Sequence, residues 1–398
     1  MEAVKKESKV SLLWNKVKTK IISTLKNKGS LFYYVLILIG FGIAFYAYTI
    51  VANGFSAPLS GDYVYQSVPF FINGYDDWWK FLTTGEFPFW DPNTALGADN
   101  LANNSFYYVM DPLFLPILLF PREAIPQGML ILMIVKMIVG ALTMRLYLIF
   151  MGVYELTARV FAICYGFCGW MIFYSWFAGF METISFFPLV LLGIEKVLKT
   201  KRPYVLVLGL FLVGLSNFYF LVPTCIGGAI YALFRFFQTI KTRKSYEQLS
   251  TLGIGILAFV LGLGSAAFLT LPSIMNTLTY VRASGSYLGS LSDALKADNT
   301  KLFWDLIFSW DKVDGTGYGF RVAYPLMSFL FPVTDGRSVP IMNLSGNRYD
   351  QVASSIFCFS PCILIFIASI FRSAKEKKIS HFIAIAFLVI TLFVPFFY

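Results

Sequence analysis

The sequence holds one histidine, His381, and shows no Gly-x-Ser-x-Gly, no phosphate-cradling Walker loop and no His-Glu-x-x-His. A histidine-based mechanism is thereby set aside, and carboxylates remain as the groups for acid–base work. Charge of either sign is scarce: Asp, Glu, Lys and Arg make up 14% of the chain, against about a quarter in soluble proteins. Disulfides are not expected either. The five cysteines (Cys164, Cys168, Cys225, Cys358 and Cys362) all fall inside or at the edge of apolar runs, and none lies in a long hydrophilic loop. The i,i+4 spacing of Cys164/Cys168 and Cys358/Cys362 is read as small residues at helix contacts rather than as a metal site.

What is present is apolar. Hydrophobic residues make up 57% of the chain and aromatics 18%, and the mean hydropathy is +0.68. This composition predicts an all-α polytopic membrane protein. Runs of membrane length, roughly 20 residues, read at 31–52, 127–150, 157–176, 180–198, 204–217, 218–237, 251–271, 353–371 and 380–398, which makes about nine transmembrane helices.

Lysine and arginine set the expected orientation, because basic loops stay on the cytoplasmic side. Residues 1–30 carry eight lysines, and the loops at 195–203, 235–248 and 372–378 carry four basic residues each, whereas 53–126 carries two. The N-terminus is therefore predicted inside, with a basic segment 1–30 and two long outer loops, 53–126 and 272–352. The basic N-terminal region and the run after it are too long for a cleavable signal peptide. The net charge of +10 then faces anionic headgroups of membrane lipids, and no nucleic-acid partner is implied.

The first outer loop carries eight carboxylates (Asp62, Asp76, Asp77, Glu86, Asp91, Asp99, Asp111 and Glu123) against Lys80 and Arg122. Between Gln66 and Thr84 its aromatics recur at helical spacing, predicting an interfacial amphipathic helix. The stretch 91–100 reads as an ordered turn-rich loop, and the prolines of 111–126 predict a re-entrant or surface-lying segment. The second outer loop balances seven acids with seven basic residues, and short helices are expected near 289–297 and 300–310. The chain ends at Tyr398 close to the end of an apolar run, which reads as a truncated product.

Several residues carry the expected chemistry. Asp62 follows Gly61 just beyond the first span; it is read either as a general base for a polyol hydroxyl or as a helix cap. Glu86 and Asp91 flank the rigid turn Phe87-Pro88-Phe89-Trp90, which is read either as holding two carboxylates toward one site, with Trp90 offering a flat face to a sugar ring, or as a turn packed on the membrane surface. Lys136 lies within a span, where an unpaired charge costs roughly 2.5–3.5 kcal/mol. It is read as a lipid-phosphate contact or as a snorkelling side chain, and in the first case Lys136→Met is expected to weaken donor use more than folding. Arg145 is read as snorkelling and Glu182 as a substrate contact or supporting acid, while Arg282 and Arg321 are each read either as a bidentate phosphate contact or as a surface salt bridge.

The runs Gly61-Asp62, Gly85-Glu86-Phe87-Pro88-Phe89-Trp90, Asn103-Asn104-Ser105, Asp111-Pro112-Leu113 and Phe187-Pro188-Leu189-Val190-Leu191-Leu192-Gly193 resemble the bacterial YfhO membrane-protein family. That family resembles the GT-C glycosyltransferases, which use polyprenyl-phosphate sugars and keep an essential acid in the first outer loop. The resemblance implies a GT-C-like fold in the bacterial plasma membrane and Asp62 as the catalytic acid. It also implies an undecaprenyl-phosphate-linked sugar donor and a cell-surface polymer, such as teichoic acid, as acceptor. Asn103 and Asn104 join the substrate-binding candidates on the same basis, and a divalent cation held by Asp62 with Asp91 is a candidate cofactor. Family members are generally about twice this length, so the resemblance implies that a second half is missing. A multi-span permease and a non-catalytic scaffold for cell-wall enzymes are the competing readings.

Overall fold

The computed structural model describes residues 29–57, 63–92, 97–105, 107–173, 175, 179–240 and 244–279. They form a set of packed helices with a folded loop between the first helices and the rest. The chain enters through α1 (Gly29–Phe45) and the short α2 (Ala47–Ala52). It then forms the loop, which contains α3 (Val68–Thr84), a two-residue hairpin of β1 (Trp90–Asp91) and β2 (Ala98–Asp99), and α4 (Asn100–Asn104). From there it returns through α5 (Ile125–Phe150), α6 (Glu155–Gly166), α7 (Gly169–Phe173), α8 (Phe180–Thr200), α9 (Tyr204–Ser216), α10 (Phe218–Ile240) and α11 (Ser245–Thr279).

Among the described residues three stretches are long and apolar enough to cross a membrane, Arg122–Phe150, Phe218–Thr239 and Ser245–Asn276, while Ser30–Phe45 and Tyr204–Ser216 are shorter apolar helices. The expected polytopic helical fold is therefore present in part, since the spans predicted at 353–371 and 380–398 lie outside the described residues. Two predicted spans differ in form. The first breaks at Tyr46, leaving α2 as a separate short turn. The span read at 157–176 stops at Gly166 and restarts at Gly169. Gly166 lies against the α5 backbone, where an added Cβ would stand 2.5 Å from the Met137 carbonyl oxygen and 2.9 Å from the Ala141 nitrogen.

Two apolar cores fill the bundle. One joins α1, α3, the loop residues Tyr108, Phe114 and Ile117, and the first half of α5. The other joins α8, α9, α10 and α11. The α8–α9 approach is backbone-close at Gly193, where a Cβ would come within 2.4 Å of the Leu206 nitrogen. Pro188 sits inside α8 and deprives the Ile184 carbonyl of its helical donor. The Tyr165 hydroxyl replaces that donor at 2.8 Å.

The end of the bundle away from the loop is fastened by charge. Glu155 accepts hydrogen bonds from Arg145 and Arg159, and Arg159 also donates to the Ser30 carbonyl oxygen. Arg145 is therefore ion-paired with Glu155, its side chain 15% exposed, instead of reaching out alone as expected. Fully buried Glu195 on α8 takes Arg235 and Tyr231 from α10, with Lys199 one turn along.

Candidate active site

The loop is a folded unit. Pro69 opens α3 and Gly85 closes it in the left-handed region at φ 77°, as expected where only glycine is unstrained. The aromatic spacing read from the sequence divides cleanly: Phe71 and Tyr75 turn into the core, while Trp79 and Phe81 face out at 40% and 38% exposure. A π-helical turn, Tyr63–Ser67, precedes it, with the Tyr63 hydroxyl 2.9 Å from Ser175 Oγ.

Polar contacts tie α3 to the segments that follow. Trp78 Nε1 donates to the Val109 carbonyl oxygen at 3.0 Å, and Phe70 stacks on Tyr107 with ring centroids 3.7 Å apart. Asn100 Nδ2 donates to Asp77 Oδ2 at 2.7 Å and to the Pro88 carbonyl oxygen at 2.8 Å, and the Tyr108 hydroxyl joins at Asp77. Burial raises the Asp77 carboxyl above its ordinary range, and these two donors hold it partly back. Segment 111–126 contains two short 3-10 turns, Leu115–Leu119 and Arg122–Ala124.

Trp90 and Asp91 form β1, and Trp90 is 62% exposed. Its ring rests on Gly97, whose φ is 112° and where an added Cβ would come within 2.5 Å of the indole. Glu86 lies exposed on the turn after α3. Asn103 and Asn104 are committed to the fold: Asn276 Nδ2 donates to Asn103 Oδ1 at 2.8 Å, and Asn104 Nδ2 donates to Asn100 Oδ1 at 2.7 Å. Ser105 and Ser273 meet at 2.5 Å beside them, so α4 is docked on the end of α11.

Asp62, Arg282 and Arg321 lie outside the described residues, as does most of the second outer loop. Among the described residues no three carboxylate, histidine or cysteine side chains converge as a metal ion requires. Of the two acids named for a divalent cation, Asp91 alone is described.

Beneath the loop the structure joins two residues that sequence reading treated separately. Lys136 on α5 forms an ion pair with Glu182 on α8, and their side chains are 4% and 0% exposed. Lys136 thus neither snorkels nor stands unpaired. The expectation that Lys136→Met relieves a lone charge gives way to one in which it strands Glu182. Lys136 lies eleven residues into α5, about 16 Å along the axis from its start at 1.5 Å per residue. The Phe71 ring of α3 covers the ammonium, with its centroid 5.9 Å away.

Asp111 completes the cluster from the loop. It is 1% exposed, and its Oδ1 accepts hydrogen bonds from the Leu113 N–H at 3.0 Å and from Ser216 Oγ on α9 at 3.0 Å. Burial pushes the Asp111 carboxyl well above the usual range, the Glu182 charge pushes it further, and Lys136 opposes both. Sequence reading counted Asp111 among the loop acids without giving it a role. The available signal was an acid and a proline heading an apolar run, Asp111-Pro112-Leu113-Phe114-Leu115, which places a carboxylate where water is scarce.

A separate crevice of about 400 Å³ lies among α8, α9, α10 and α11; Leu210, Leu252 and Phe259 are typical of its apolar lining, in which Thr224 and Thr251 are the polar members. None of the charged residues of the cluster lines it.

No curated protein and no solved structure matches the chain. The family described as bacterial membrane protein YfhO matches residues 33–298, a stretch that takes in α3, the loop hairpin, the Asp111–Lys136–Glu182 cluster and all of α8 to α11. The chain belongs to that family.

Proposed function

We propose that the protein is an inverting glycosyltransferase of the GT-C type, moving a sugar from a polyprenyl-phosphate carrier to a cell-surface polymer at the outer face of the plasma membrane. The first loop faces outward in this reading and the N-terminus lies in the cytoplasm, following the lysine and arginine asymmetry. Asp62 takes the proton of the acceptor hydroxyl, which attacks the anomeric carbon as the lipid phosphate departs. Trp90 offers its exposed ring to the sugar, with Asp91 beside it. Arg282 and Arg321 supply positive charge to the leaving phosphate.

The observation that carries this reading, alongside family membership, is that the acidic loop is folded and docked. A linker between transport helices has no need of a hairpin that props an exposed indole on a glycine, nor of an α4 bonded to α11 through Asn103–Asn276 and Ser105–Ser273. A permease is favoured less, because transporters line a central cavity with ionisable groups. The crevice described here is apolar, and the buried charges are closed on one another.

Reconstitution in vesicles with a polyprenyl-phosphate sugar and, separately, a nucleotide sugar tests the proposal. Transfer from the lipid donor that is abolished in Asp62→Asn, with the protein still folded, is the expected result. Transfer from the nucleotide sugar without a lipid carrier, or full activity in Asp62→Asn, refutes it.

A further inference from the structure

Three segments bring three charged side chains into a space that water does not reach. Asp111 comes from the loop, Lys136 from α5 and Glu182 from α8, and they are exposed by 1%, 3% and 0%. Two carboxylates and one ammonium leave one negative charge over if all are ionised, and a lone buried charge is costly. The hydrogen bonds show where the deficit lies. Asp111 Oδ1 is satisfied by the Leu113 N–H and Ser216 Oγ, but Asp111 Oδ2 and Glu182 Oε2 are buried and meet no donor. The Asp111 and Glu182 side chains nevertheless lie within hydrogen-bonding reach of each other. Asp111 Oδ2 and Glu182 Oε2 lack a donor until a proton joins the two side chains.

We propose that Asp111 and Glu182 form a proton-binding site, in which one proton carried on Asp111 Oδ2 is donated to Glu182 and latches the first loop to the bundle. The order of partners fixes which acid holds the proton. Glu182 is already paired with the Lys136 ammonium, whereas the free Asp111 oxygen has no cation of its own and lies beside Glu182. With the proton in place the cluster sums to zero charge and every carboxyl oxygen has a partner. A metal cation suits the place poorly, since Lys136 already supplies the positive charge.

The charged groups acting on Asp111 are Glu182 from α8 and Lys136 from α5; α9 contributes the Ser216 hydroxyl, and α3 the Phe71 ring over Lys136. In this proposal a pH change acts on the Asp111 proton. The sign follows from linkage. The folded state holds a proton that the unfolded chain gives up above the ordinary value of 3.8. Stability is therefore fully present below that value and is lost as pH rises towards the folded-state value, the unfolding equilibrium shifting about tenfold per pH unit. The inference holds whatever the substrate of the enzyme is.

The test uses the full chain in detergent micelles. Infrared spectra at neutral pH should show the C=O stretch of a protonated carboxylic acid that disappears in Asp111→Asn. Asn keeps the acceptor for Leu113 and Ser216 and offers an N–H to Glu182, so this variant should fold. Its stability should gain on the wild type as pH rises from mildly acidic to alkaline, by about tenfold per pH unit in the unfolding equilibrium. Asp111→Leu, which provides neither donor nor acceptor, should be destabilised throughout. A wild-type spectrum identical to that of Asp111→Asn, or parallel stability curves for the two, overturns the proposal.

Discussion

Lys136→Met is the sharpest test of how the loop and bundle are joined. Were the lysine unpaired, its removal would relieve an insertion cost of roughly 2.5–3.5 kcal/mol, and the variant would be as stable as the wild type or more so. The structure pairs it with Glu182 where the two side chains are 4% and 0% exposed, and removing one member of a buried pair costs about 3–5 kcal/mol because the other is left uncompensated. The two arguments differ in sign, so a modest measurement separates them. We expect Lys136→Met to lower stability by about 3 kcal/mol or more at neutral pH. Adding Glu182→Met should return most of the loss, because a buried pair replaced by apolar residues of similar volume is often neutral or stabilising. Reversible unfolding in mixed micelles, followed by tryptophan fluorescence for both single variants and the double, gives the coupling directly. A Lys136→Met protein as stable as the wild type, or a double variant whose losses simply add, would refute the pairing argument.

Other outcomes follow from single contacts. Gly97→Ala places a methyl within 2.5 Å of the Trp90 ring at a φ of 112°, which should cost about 1–3 kcal/mol locally and, under the proposed function, lower sugar transfer through displacement of Trp90. Gly193→Val should separate α8 from α9, since even a Cβ there comes within 2.4 Å of Leu206 backbone; a loss of about 1–3 kcal/mol in thermal unfolding is expected. Arg122→Ala breaks an ion pair whose side chains are 53% and 47% exposed, so the loss should be small and vanish in high salt. A cysteine at the exposed Asn73 should react with an impermeant thiol reagent on intact cells, and its protection would invert the proposed orientation.

Where local pattern decides the outcome, the sequence was a good guide. The helix around 66–84 announced itself by aromatic spacing, by Pro69 near its start and by Gly85 past its end, and the helices at 127–150 and 218–237 by unbroken apolar length. The break at Phe167–Cys168 was hidden because hydropathy runs straight across it, while Gly166 beside it meets the backbone of a helix distant in sequence. The site was less legible for the same reason. Lys136 and Glu182 are separated by 46 positions, and Asp111 meets Ser216 across 105, so nothing along the chain says that these groups share one space. Asn103 and Asn104, read as substrate contacts, also make bonds to Asn276 and Asn100 that no sequence pattern announces. Polar side chains of that kind look alike in a sequence whether they face a ligand or a neighbouring helix.

Helix α8 bears a buried glutamate near each end, Glu182 held by Lys136 and Glu195 held by Arg235, Tyr231 and Lys199. The two are thirteen residues apart, about 20 Å at 1.5 Å per residue. Such a rod cannot slide along its axis or turn about it without tearing a carboxylate from its partners at one end or the other. It behaves as an axle pinned in two bearings. Pro188 lies between the pins, and the freed Ile184 carbonyl is held by Tyr165 rather than by the helix itself, so bending remains where sliding and rotation are blocked. Rearrangements that admit a substrate to this bundle must then work by flexing α8 at its middle, or by shifting the helices around it while the axle stays in place.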